Sequence, residues 1–349
     1  MVKADWASHR LSARLLPFQR KPKGLNRLTP MRKLALALLL TCGVFAAEKE
    51  NKPNPTYLDA KAGGQDFADQ GEYKNDWGGI QVIALGGGEF RAVTYRGGLP
   101  GDGWDKEYKT ETPGKREGSK VIFKGENSYR AELENGTITI NTADGGPYMM
   151  EKIERKSPTL GAKPPQGAIV LFDGTSADQW VNGHFDEQGR HLLAAGTKSK
   201  QEFANFTAHV EFLLPFKPYG RGQDRANSGV YVQDRYEIQV LDSFGLKGEN
   251  NECGGIYTLA KPLVNMCYPP LTWQTYDIDF TSAKYDESGK KVKNALLTLK
   301  HNGVIVHDNL ELKTNTPGNG KKEDPSGGPF QLQGHGNPVF YRNIWVLPK

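Results

Sequence analysis

From Ile169 to Pro348 the chain is a succession of short segments in which apolar and polar residues alternate, with no helical stretch between them. Segments such as "AIVLFDG", "SGVYVQD", "RYEIQVLD", "FQLQGHG" and "VFYRNIWVLP" are parted by turn chemistry of the His301-Asn302-Gly303 kind. Successive side chains of a strand point to opposite faces, so a chain built this way closes its core by stacking sheets. The expected architecture is an antiparallel all-β sandwich, and the lack of a fixed-period repeat disfavours a propeller or solenoid. The 41 glycines and 21 prolines supply the frequent reversals that such a fold needs.

Residues 57–160 read as a smaller β-rich module. "GGIQVIALG", "EFRAVTYRGG" and "KVIFKG" suit strands, while "YRAELENG" and "TITINTADGG" suit a hairpin turned by Asn135-Gly136. No helix is expected in this module. The Pro/Gly-rich segment "SPTLGAKPPQGA", residues 157–168, marks the boundary to the domain at 167–349.

"MRKLALALLLTCGVFAA", from Met31 to Ala47, joins two basic residues, a short apolar run and a small-residue cleavage pattern, as a signal peptide does. Residues 1–46 are therefore expected to be an upstream extension plus a signal ending at about Ala46, with Met31 as the true start. The mature chain would be secreted or periplasmic; lipid anchoring at Cys42 is the lesser alternative, because Thr41 stands where a small Gly, Ala or Ser is usual. The apolar run is too short to span a bilayer, so no transmembrane helix is expected in the mature chain. Residues 1–30 carry seven Lys/Arg against one Asp, and Arg32 and Lys33 add two positive charges; without them the formal +5 becomes about −3. That removes the basic excess that would argue for nucleic acid as a partner.

Cys253 and Cys267 remain in the exported part and are candidates for a disulfide closing the loop "CGGIYTLAKPLVNMC", two separate buried thiols being the other possibility. In "RYEIQVLD", Tyr236, Ile238 and Val240 point one way, and Glu237 and Gln239 the other, with Cα atoms roughly 6.6 Å apart. A carboxylate beside an amide suits sugar hydroxyls and proton exchange, although the pair would equally suit a solvated outer face. Asn227-Ser228-Gly229 precedes a strand, Gln331 and Gln333 share a strand face, and His335 sits between two glycines as an accessible proton carrier.

Read together, "LFDGT" with Trp180, "NFTAHVEF", "NSGVYV", "YEIQVLD", "GGIYTL", "WQTYDIDF", "HNG" and "GPFQLQGHGNPVFYRNIWV" resemble the 3-keto-disaccharide hydrolase domain family, over about Gly167 to Pro348. The resemblance implies a concanavalin A-like jelly roll whose concave face binds a carbohydrate. The facing positions make Glu237 and His335 the candidate catalytic pair, either one the base at C2 of a 3-keto sugar and the other the acid at C1, with Asn227, Ser228, Gln239, Gln333, Arg342 and Trp273 as candidates to hold the substrate. A divalent cation on Glu237, Asp242 or His335 is a further expectation, with Asp242 on the opposite strand face from Glu237 unless a bulge intervenes. Gln239 stands where a two-carboxylate glycosidase would place its second acid, which weakens ordinary glycoside hydrolysis. The alternative is a non-catalytic lectin-like module of the cell envelope, with Trp273, Tyr231 or Tyr257 as stacking platforms.

Overall fold

Two antiparallel β assemblies follow one another in the computed structural model, which describes residues 54–126, 129–142, 145–318 and 320–349. The expected signal segment, with Cys42, lies outside the described residues. In the first assembly eight strands between Gly71 and Ile153 close into a barrel, because Gly71–Asn75 pairs with both Gly78–Gly86 and Gly145–Ile153. Its interior is filled by alternate residues such as Tyr73, Ile80, Val82, Phe90, Phe123, Leu133 and Met150. Asn135 and Gly136, at φ 49° and 81°, make the expected hairpin turn.

The expectation of no helix here is corrected: Ala60–Asp69 is helical, interrupted at Gly64 (φ 66°). Asp59 caps it by accepting the Ala62 N–H at 2.9 Å. The sequence "AKAGGQDFAD" hides it, since two adjacent glycines lower helix propensity.

The second assembly is the expected jelly-roll sandwich. One sheet has the order Trp180–Val181, Thr197–Phe203, Gly328–Leu332, Ser228–Val232, Tyr236–Val240. The other runs Leu192–Leu193, Phe340–Pro348, Phe206–Leu213, Trp273–Thr281, Ala295–His301, Val304–Leu312, with Ile169–Phe172 also paired to Phe340–Pro348. Alternation sends Val230, Ile238, Val240 and Leu332 from the first sheet against Val210, Phe212, Ile278 and Tyr341 from the second. Glu237, Gln239, Tyr231 and Gln331 are thereby left on the far face of the five-stranded sheet.

The barrel braces the sandwich loops. Arg221 and Arg225 donate to the carbonyls of Leu85 and Ala84, at 2.8 and 3.4 Å. Phe244 packs into a small cluster with Ile83, Val93, Tyr95 and Leu99. Gly245, at φ 73°, is required there, because a Cβ would come 2.4 Å from Ile83 Cδ1.

Phe206 joins the two sheets: it lies 5.3 Å from Phe280 on its own sheet and 5.1 Å from Phe330 on the other, ring centroid to ring centroid. Phe206→Ala should lower the unfolding free energy by about 3–5 kcal/mol in urea denaturation. A loss below about 1 kcal/mol would contradict its place at the centre of the core.

Candidate functional site

The hairpin Ser228–Val232/Tyr236–Val240 builds the site. Only three residues connect its strands, and Gln233 and Asp234 take the left-handed conformation at φ 55° and 59°, so Tyr231 falls directly opposite Glu237 and Gly229 opposite Gln239. Pairing continues outward from Tyr231 to Gln331, from Gln331 to Lys198 and from Lys198 to Val181. A single transverse row thus crosses all five strands: Glu237, Tyr231, Gln331, Lys198, Val181. Glu237, Tyr231 and Gln331 are buried, and Val181 at the far end is 49% exposed.

Glu237 is a buried carboxylate whose side-chain partner among the described residues is the Tyr231 hydroxyl, which donates to Oε2 at 2.7 Å. Burial pushes its pKa up from 4.5 to about 7, and the Tyr231 hydrogen bond offsets part of that rise. Gly229 makes room for it, since a Cβ there would meet Glu237 Oε1 at 2.4 Å. Two acceptors nearby, Gln331 Oε1 and Gln333 Oε1, are buried without a hydrogen-bond partner. Such atoms favour a ligand that brings donors. Thr316 accepts the Glu237 backbone N–H at 3.0 Å, and a Cβ at Gly318 would sit 3.4 Å from the Tyr231 hydroxyl, so this segment packs against the pair.

The other expected site residues divide. Gln239 Nε2 donates to Asn227 Oδ1 at 2.8 Å, and Asn227 Nδ2 to Gln223 Oε1 at 3.0 Å, so both belong to a buried relay beside Glu237. Gln333 joins the site, its Nε2 lying 3.4 Å from the Tyr231 hydroxyl. Ser228 points to the other face: its hydroxyl donates to the Gln333 carbonyl at 2.7 Å and lies 2.8 Å from the Tyr341 hydroxyl. His335 is exposed, and no hydrogen bond or ion pair links its ring to Glu237.

Arg342 and Trp273 lie on the outer face of the seven-stranded sheet, with the Arg342 guanidinium 3.9 Å over the Trp273 ring. His191, held by Asp186 at 2.7 Å, lies 5.1 Å from the same ring. A cavity of about 480 Å³ opens beside Trp273 between the barrel and the sandwich, lined also by Phe67, Gln70, Lys152 and Leu271. It does not include Glu237.

The three candidate metal ligands are not gathered. Asp242 is buried and bound to Arg225 Nε at 2.7 Å, which leaves it committed to that pair. Among the described residues no group of three or more His, Cys, Asp or Glu side chains is placed to hold a metal ion. Of the two expectations for Cys253 and Cys267, the structure has them as free buried thiols. The two thiols adjoin and share a hydrogen bond, with the Tyr276 hydroxyl 3.2 Å from Cys253 Sγ and the Tyr268 carbonyl 3.5 Å from Cys267 Sγ.

Arg342 instead serves a buried network under the interdomain linker. Its Nε donates to Glu211 Oε2 at 2.7 Å, and Glu211 Oε1 accepts from Asn343 at 2.9 Å and the Gly161 amide at 2.5 Å. Burial alone would raise the Glu211 pKa, but hydrogen bonds from His209, Asn343, Arg342 and Gly161 bring it from 4.5 down to about 2. Burial works to lower the His209 pKa, yet Asp277 and Glu211 hold it above its usual value. Glu211 therefore contributes stability that is present above about pH 4.5 and lost as pH falls toward 2, whereas His209 contributes below about 6.5 and loses it as pH rises. Glu211→Gln should lower stability at pH 7 and flatten the decline between about pH 5 and 3, read by urea unfolding at stepped pH. An unchanged acid limb would contradict the network.

Comparison with known proteins bears on residues 167–347, which match the family model of the 3-keto-alpha-glucoside-1,2-lyase-like domain. Three solved structures, all candidate glycosyl hydrolases from Parabacteroides distasonis ATCC 8503, are similar to the chain. One is 30% identical, covering 53% of this chain and 85% of its own, with a TM-score of 0.49. The others are 20% and 14% identical, each covering 52% of this chain and 99% and 94% of their own, both with a TM-score of 0.38. No curated protein matches the chain.

Proposed function

The chain belongs to the 3-keto-alpha-glucoside-1,2-lyase-like domain family through residues 167–347, and from that premise we propose that it cleaves glycosidic bonds of 3-keto-glycosides by elimination, with Glu237 as the base. A 3-keto group acidifies the hydrogen on C2 of the sugar. Glu237 takes that proton, and the C–H electron pair moves into the carbonyl to give an enolate. The enolate then reforms the ketone as the C1–oxygen bond breaks; the departing oxygen takes a proton, leaving a double bond between C1 and C2. Addition of water to that bond would complete a net hydrolysis. His335 is the candidate donor to the departing oxygen.

The observation that carries this reading is a lone buried carboxylate with a pKa of about 7 and an amide, Gln239, as its same-face neighbour. An elimination needs one base near neutrality, whereas ordinary glycosidases use two carboxylates about 5–9.5 Å apart. The unpartnered Gln331 and Gln333 oxygens suit sugar hydroxyls as donors. The expected export of the chain would give it extracellular or periplasmic glycosides as substrates.

A binding-only, lectin-like reading has one observation in its favour, the cavity of about 480 Å³ beside Trp273. Incubation with 3-keto-glycosides and their unoxidised parents, with and without chelator, separates the two. Release of aglycone from the keto compounds alone is expected, rising with pH through an acidic limb near 7. Glu237→Gln should lower kcat at least about a hundredfold with unfolding unchanged, and His335→Ala should lower it less. Release from neither set, with saturable sugar binding abolished in Trp273→Ala, would overturn the enzymatic reading.

A further inference from the structure

The two oxygens of the Glu237 carboxylate are treated differently by the fold. Oε2 accepts the Tyr231 hydroxyl at 2.7 Å, while Oε1 carries no hydrogen bond and sits over Gly229, whose missing Cβ leaves its space open. The pairing register makes both contacts obligatory, because Tyr231 is directly opposite Glu237 and Gly229 is opposite the next residue on that face. Gln333 Nε2, at 3.4 Å, in turn faces the Tyr231 oxygen.

Among the described residues no cation pairs with this carboxylate. The strand Gly328–Leu332 and its extension present Gln331 and Gln333, while Thr316 accepts the Glu237 backbone N–H and the Tyr257 N–H donates to the Glu237 carbonyl. Lys198 and Lys321 are tied to Asp234, at 2.7 and 3.4 Å, and Arg225 to Asp242. Tyr341, whose own pKa is raised first by burial and also by Glu237, is the remaining titratable group that senses it.

We propose that Tyr231 is a positioning residue that holds Glu237 Oε2 and sets its proton affinity, so that Oε1, presented over Gly229, is the atom that receives the substrate proton. This rests on Glu237 being the base of the proposed elimination. A hydroxyl donated to a carboxylate favours its charged form, so Tyr231 keeps enough of the buried carboxylate ionised at neutral pH to accept a proton. A Tyr231 that merely packed would leave the titration of Glu237 where it is.

The test is a carbon-13 titration of glutamate carboxyls in the full chain, with the Glu237 signal identified by its loss in Glu237→Gln. Tyr231→Phe keeps the ring and removes the hydroxyl, and should raise the Glu237 midpoint by about one to two pH units, a ten- to hundredfold change in proton affinity. The acidic limb of kcat/KM should move upward by the same amount. Gln333→Leu, which leaves Tyr231 in place, should move the midpoint in the same direction by less. A midpoint that stays put or falls in both variants overturns the proposal. Because the titration needs no substrate, a shifted midpoint in a protein that releases no aglycone supports the role of Tyr231 and overturns the elimination instead.

Discussion

A carboxylate buried to 2% exposure with one hydroxyl for a partner is the constraint on which the rest of the site depends. Taking an ionised carboxylate out of water is costly unless hydrogen bonds or a counter-charge replace the lost hydration. Here the replacement is minimal, so the proton is held near neutrality rather than near pH 4.5. Everything close by serves that balance: the hairpin sets Tyr231 opposite, Gly229 omits a side chain, and the neighbouring cations are committed to Asp234 and Asp242.

The two faces of the sandwich use charge in opposite ways. On the five-stranded sheet a single acid is left nearly alone. On the seven-stranded sheet Glu211 is surrounded by donors and stays ionised, clamping the linker through the Gly161 amide. One carboxylate is thereby suited to proton transfer, the other to holding structure. The barrel adds to the second task, since its Leu85 and Ala84 carbonyls bind Arg221 and Arg225, and Arg225 in turn neutralises Asp242.

Much of the fold was legible because a strand's period of two is a strong signal. The Tyr236–Val240 face assignment follows from it, and so does the hairpin turned by Asn135-Gly136. The helix Ala60–Asp69 was not legible, since its glycines carry no periodic apolar face. Glu237, Gln239, Asn227 and Gln333, singled out from local pattern, lie near one another in the structure. Arg342 and Trp273 were placed with them because a motif names residues without saying which sheet face they reach; alternation from Tyr341, in the core, puts Arg342 on the outside, and an irregularity at Asn343 (φ 43°) brings Ile344 back to the core. The Tyr231–Glu237 contact was within reach of the sequence, because the short "QDR" connection forces a hairpin, but only the register decides which residue lies opposite. The buried Arg225–Asp242 pair depends on a loop packed against the barrel, and no local pattern encodes it.

With Glu237 as the proposed base, the sugar would lie on the transverse row that ends there. A crystal structure of the full chain with a non-cleavable analogue of a 3-keto-glycoside tests it directly. The account predicts the ring over Gly229 and Tyr231, its C2 beside Glu237 Oε1 and its hydroxyls donating to Gln331 and Gln333. An analogue seated in the cavity beside Trp273, with the Glu237 face unchanged, would contradict it.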